Sequence, residues 1–214
     1  NTLQAAFTIP LATASVSGVD GTAASVTDSK AATDAGGAGD GTTYTLTVGA
    51  DTFTGTDLND TFTGAQTTAA TWTVADTIDG GAGTGDVLNV VQTAAVTVPV
   101  GATVTNVETM NVTSGTTANV LDTSTGFSGL TALNVTGVGA QTVTAAATTD
   151  ITVTDSAQAA LVITVDGGLA STVTTAGAMA SAGATGAVTI GAATAAAGAV
   201  SITAVATSSN ATNA

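Results

Sequence analysis

Apolar and polar residues alternate along this chain in short runs, and each run stops at Gly, Asp or Ser. The first clear run is YTLTV, in which Tyr44, Leu46 and Val48 share one strand face by period-two alternation. Farther on, NVETMNV, GLTALNV, TDITVTD, LVITV, STVTT, GAVTI and GAVSITAV repeat the pattern at intervals of about 8 to 23 residues. NVETMNVTSG and GLTALNVTGV align with each other, which makes Val112 and Val135 equivalent. Short strands at unequal spacing predict an all-β fold, a right-handed parallel β-solenoid or β-roll. Its coils bury small apolar residues and stack Thr, Asn and Asp outward. A β-sandwich competes. One Trp, one Tyr and four Phe, however, leave little to fill a two-sheet core about 10 Å thick.

Between Val48 and Val90 the alternation is joined by acids and glycines. VGADTFTG, LNDTFTG, VADTIDGG and TGDVLNV each carry an Asp, one intervening residue and a large apolar residue. Asp51 and Asp60 are nine residues apart, as are Phe53 and Phe62; the pattern restarts at Asp76 and Ile78 and recurs ten residues later at Asp86 and Leu88. A calcium-loaded parallel β-roll has this grammar, G-G-x-G-x-D-x-U-x with U large and apolar. Glycines let backbone carbonyls turn toward an ion, and calcium takes about 6–8 oxygen ligands. The candidate ligands are Asp51, Asp57, Asn59, Asp60, Asp76, Asp79 and Asp86, with turns at Gly55, Gly64, Gly80, Gly81 and Gly83; Gly81 and Gly83 are counted with the metal site. Two departures stand out. Leu58 holds a position usually given to Gly, and in GGAGTGD an extra residue puts Gly85 where Asp is due, so that copy is bulged or shifted. The bland alternative is ordinary Asp-Gly turn chemistry; four copies in one register favour calcium.

Charge sharpens the picture. Fifteen acids face a single base, Lys30, for a formal charge of −14. Nucleic acid and anionic lipid need cationic side chains, so neither is an expected partner. Cations are. No apolar run reaches the roughly 20 residues of a membrane helix, and the aromatic girdles of an outer-membrane barrel cannot be built from so few rings. Without Cys there are no disulfides and no thiolate zinc site. With no His, Cys or Arg, one Lys and one Glu, the chain lacks the usual bases, nucleophiles and guanidinium clamps, and no enzymatic activity is expected. Close Asp pairs fit ligation in turns better than glycoside hydrolysis. Glu108 is expected on the solvent side of a strand, opposite Val107, and Trp72 on an alternating strand, capping the core at a bend in preference to contacting sugar.

Three segments follow: residues 1–43, a linker or the tail of a preceding domain; 44–106, an RTX-like calcium-binding β-roll; and 107–214, an irregular β-solenoid continuing beyond this fragment. SKAATDAGGAGDGTT is the linker-like stretch within the first. Lacking an initiator Met and a signal peptide, the sequence reads as a piece of a longer protein.

GADTFTGTDLNDTFTG, ADTIDGGAGTGDVLNVVQTAAVTVP, NVETMNVTSG and GLTALNVTG, in that order over roughly residues 44–175, resemble the RTX-type calcium-binding surface-layer (S-layer) proteins of alphaproteobacteria, the Caulobacter type. The resemblance implies a secreted, type I-exported, extracellular β-solenoid at the cell surface that self-associates into a two-dimensional lattice with calcium. It also implies a domain, not present here, that holds cell-surface polysaccharide, and calcium roles for Asp51, Asp57, Asn59, Asp60, Asp79 and Asp86. A stalk segment of a large calcium-dependent RTX adhesin or an extracellular filament is the alternative. Thr-x-Thr steps such as TFT, TWT and TVT raise ice binding, but they recur at unequal intervals, and none is expected.

Overall fold

The computed structural model describes residues 40–66, 68–115, 118–157, 162–176 and 187–204. The chain divides into two units, Asn1–Asp40 and Gly41–Ala214. Most of the expected linker or preceding-domain tail, residues 1–39, lies outside the described residues.

Among the described residues all regular structure is β: β1 (Asp40–Thr45), β2 (Thr52–Thr54), β3 (Asn59–Ala65), β4 (Thr77–Asp79), β5 (Val87–Gln92), β6 (Thr103–Thr105), β7 (Thr109–Ser114), β8 (Asn119–Asp122), β9 (Phe127–Ser128), β10 (Ala132–Gly137), β11 (Gln141–Ala145), β12 (Asp150–Asp155), β13 (Val162–Gly167), β14 (Ser171–Thr175), β15 (Ala187–Ile190) and β16 (Val200–Ala204). The long sheet runs β1-β3-β5-β7-β10-β12-β14-β16, without a break at the expected 106/107 boundary. A second sheet, β2-β4-β6-β9, accompanies the early coils, and a third, β8-β11-β13-β15, the later ones. Strands pair in parallel with the coil before and the coil after, and the chain is a right-handed parallel β-solenoid.

Inward positions form continuous columns. Phe62, Leu88, Met110, Leu133 and Ile151 share one register; Val90, Val112, Val135, Val153 and Val173 share the next, and all are buried. Val112 and Val135, equivalent by sequence, pair directly. Each such side chain contributes roughly 1.5–3 kcal/mol by leaving water. One well-placed apolar residue per column per coil is therefore enough for a core.

The nine-residue repeat is half a coil. Phe53 and Phe62 lie in opposing sheets with ring centroids 6.4 Å apart, while the full coil brings Phe53 onto Ile78 and Phe62 onto Leu88. Tyr44 stacks on Phe62 at 4.9 Å and covers this end of the aromatic file. Coil length varies: 26 residues separate Thr61 from its partner Val87, and 18 separate Ala132 from Asp150. Turns absorb the difference.

Three local expectations change. The first strand begins at Asp40 and ends at Thr45; Leu46 is buried, but Val48 is 66% exposed, because Asp51 accepts hydrogen bonds from Thr47 and turns the chain outward. Trp72 is buried as expected of a cap, with its ring edge-on to Phe127 at 6.4 Å. It sits in a turn and not on a strand, since Thr73 N donates to Asp76 Oδ2 and bends the backbone there. Gly64 is no ion-facing turn. It lies inside β3, where a Cβ would stand 3.6 Å from the Trp72 Cβ and 3.5 Å from the Thr71 hydroxyl.

Leu133→Ala is expected to cost about 2–5 kcal/mol in urea unfolding, because no neighbouring column can collapse into the gap. Thr136→Ala, on the exposed face of the same strand, is expected to stay within about 0.5 kcal/mol.

Candidate metal centre

The acids stand in two columns at the starts of strands. Asp51 and Asp76 form the first. Asp51 accepts from Thr47 N at 2.7 Å and Thr47 Oγ1 at 3.0 Å; Asp76 Oδ1 accepts from Asp51 N at 2.9 Å and its Oδ2 from Thr73 N at 2.6 Å. Asp60, Asp86 and Glu108 form the second. Asp60 accepts from the backbone N–H of Thr42 and of Thr56, Asp86 Oδ1 from Asp60 N at 2.6 Å, and Glu108 Oε2 from Asp86 N at 2.9 Å. Asp76, Asp86 and Glu108 each reach back to the amide of the acid one coil earlier. These charge-assisted bonds satisfy an N–H just where the chain leaves a turn.

Glu108 was not expected to belong here. It precedes β7 instead of lying in a strand, half-buried, and the register of Val87 with Thr109 sets it directly after Asp86 in the column. Its spacing from Asp86 departs from the half-coil interval, and it is Glu where the repeat has Asp.

Glycines make room for this stacking. A Cβ at Gly55 would fall 2.0 Å from the Gly80 carbonyl oxygen and 2.6 Å from Asp60 Oδ2. One coil on, a Cβ at Gly80 would fall 1.8 Å from the Asn106 carbonyl oxygen and 2.8 Å from Asp86 Oδ2. The two cradles are the same unit repeated, with one difference. Asp60 Oδ2 accepts from Thr56 N and Oγ1, whereas Asp86 Oδ2 is buried with no hydrogen-bond partner. Five residues lead from Gly55 to Asp60 and six from Gly80 to Asp86. The extra residue displaces the amide that would have reached Oδ2. Phe62 still pairs with Leu88, so the copy is bulged in its turn and not shifted in its strand.

Burial, first, and then the charges of Glu108, Asp60 and Asp79 push the Asp86 carboxyl above its ordinary value, against the hydrogen bond from Asp60 N. Asp79 is its opposite. Asn106 Nδ2 at 2.8 Å and Gly81 N at 3.0 Å hold its carboxyl below the usual range. Gly81, at φ +93°, and Gly83 lie on the turn one coil earlier: a Cβ would stand 2.2 Å from Thr56 O at the first and 2.4 Å from Leu58 O at the second. Asn59 is exposed, its amide against Gly85, and Asp57 is exposed.

The structure thus gathers Asp60, Asp79, Gly81, Gly83 and Asp86 around one stacked pair of turns and sets Asp51 and Asp76 on the other column. Among the described residues no three acid, His or Cys side chains meet as a metal cluster. Asp51, Asp60 and Asp76 have both oxygens engaged by N–H or hydroxyl donors and act as turn caps as they stand. Asp155, buried far along the solenoid, caps a turn in the same manner, with Ala157 N at 2.7 Å. Asp86 is different. An anionic oxygen without a donor, near a backbone carbonyl and three further acids, fits a hard cation bound by mixed side-chain and main-chain oxygens.

Comparison with protein families and with curated proteins finds no match.

In buffer free of divalent cations, a charged Asp86 opposes folding. Its folded-state pKa is raised, so the folded chain holds a proton that the unfolded chain releases; stability is greatest below that window and falls as pH rises through it. Asp86→Asn keeps an acceptor for Asp60 N–H and replaces the orphan oxygen by a donor. In chelator at pH 7 it is expected to raise the urea midpoint and flatten the fall with pH. A lower midpoint would count against the orphan-charge account. Gly80→Ala is expected to cost about 1–3 kcal/mol, because its clash is with backbone.

Proposed function

We propose that this chain is a non-catalytic structural subunit of a secreted, calcium-dependent bacterial surface layer. The observation that carries the reading is Asp86, a buried carboxylate whose Oδ2 has no donor where the turn holds one extra residue, while the column around it stays in register. Asp86 Oδ2 and the Asn106 carbonyl would hold the ion, with Glu108, Asp79 and Asp60 supplying the surrounding negative potential. Bound there, calcium offsets the repulsion among these acids and stabilises the native state by mass action.

The chain's own residues do the rest. Asp60, Asp86 and Glu108 fix the register of successive coils through the amides they accept. Lys30 is the only base, so no network of side-chain cations can neutralise the columns. Export to a calcium-rich exterior would then complete folding after the chain leaves the cell. The outer strands of a parallel sheet carry unpaired N–H and C=O groups, and these suit end-to-end association. A stalk segment of a calcium-dependent adhesin is the second reading, supported by the unbroken long sheet, which serves equally as a stiff spacer. Imaging of purified protein separates the two: sheets for a layer, isolated rods for a stalk.

Calcium titration of the EGTA-stripped protein, followed by circular dichroism and light scattering, tests the proposal. A cooperative gain of β-signal and then of scattering is expected, with magnesium ineffective and Asp86→Asn unresponsive. A β-signal indifferent to chelator, with no assembly, would falsify it.

A further inference from the structure

Thr-x-Thr steps at unequal intervals argue, from sequence, against a regular surface. The registers of the long sheet reverse that argument. On its outward face Thr113, Thr136, Thr154, Thr174 and Thr203 occupy one position in five consecutive coils. Two residues earlier in the same strands stand Asn111, Asn134, Thr152, Thr172 and Ser201. All ten are exposed or half-buried. Coil lengths differ, but the turns take up every difference, and what is irregular along the chain is regular in space.

The grid has defined repeats. Neighbouring strands lie about 4.8 Å apart, and positions two apart on a strand about 6.6 Å. Its groups are also held in place. Asn111 Nδ2 donates to Asn89 Oδ1 and Asn134 Nδ2 to Asn111 Oδ1, each at 2.9 Å, and β-branched Thr has few rotamers to choose from. Unbroken register with side-chain ladders is the arrangement in which a sheet stays flat.

Its charge and composition narrow the occupant. On a chain of formal charge −14 neither column holds an ionisable group, so the ligand is matched by neutrality. Protein partners dock on Trp, Tyr and Arg anchors, and neither column has one. What fits a rigid, neutral grid of hydroxyls, methyls and amides is a surface that is itself a neutral, periodic array of hydrogen-bonding oxygens. Ice is such a surface. We propose that the outward face of the long sheet binds ice, its Thr and Asn columns ordering a layer of water that joins the crystal. This site is independent of Asp86, on the inner side of the same sheet.

The full chain, folded in calcium buffer as checked by circular dichroism, is cooled with a single ice crystal in a nanolitre osmometer. Faceted growth and a gap between melting and freezing points are expected. Thr136→Tyr and Thr172→Tyr, which raise a ring from the grid, are expected to abolish both. Thr148→Tyr, in the exposed turn between β11 and β12, is expected to leave them intact. Round crystals with the folded wild type overturn the proposal, as does activity that survives both grid substitutions. If round crystals coincide with a loss of light scattering in those two variants, the face joins copies of the chain instead.

Discussion

Every coil of this solenoid has to arrive in the same register as the one before it. A slip of one residue would turn a whole strand inside out and put Thr where Leu or Val belongs. The turns between strands differ by several residues, so turn length cannot set the register. In the early coils side chains at the turn exits help set it. Asp76 takes the Asp51 amide, Asp86 the Asp60 amide and Glu108 the Asp86 amide, each binding the end of one turn to the same point one coil away. The Leu and Val columns then close over positions already aligned.

That device concentrates negative charge. Stacking acids at one coil spacing costs little where each oxygen is met by an N–H, as at Asp60, and much where one is not, as at Asp86. The extra residue in GGAGTGD leaves one carboxylate oxygen of the cap without a donor and does not disturb the strand that follows. The same Gly-Asp unit is a satisfied cap in one coil and a half-satisfied one in the next, and one backbone amide separates them.

The architecture was legible because period-two alternation survives in a chain whose apolar residues are few and small. Val112 and Val135 could be matched by eye. Legibility ended where tertiary contacts overrule local pattern. Val48 alternates correctly yet faces solvent, since Asp51 turns the chain first, and TWTV reads as a strand although Asp76 bends it. Gly64 looks like its turn-forming neighbours but lies inside β3. Glu108 reads as a solvent-facing strand residue and not as a member of the acid column, because coil length changes just before it. For the same reason the outward Thr and Asn columns could not be seen: their regularity lies across the sheet, and a linear reading measures only along the chain. Four Asp copies in one register suggested equivalent ligands, whereas their hydrogen bonds distinguish three caps from one orphan.

The inward column that begins at Phe62 does not keep its quality. After Leu133 and Ile151 it reaches Ser171, buried with its hydroxyl unpartnered. Because coils in a solenoid contact only their neighbours, this gradient gives the rod a mechanical polarity. A buried hydroxyl without a partner costs stability, so under tension the Ser171 coil is expected to give way before the Leu- and Val-lined ones. Its release adds slack and dissipates work while the Leu- and Val-lined coils behind it hold.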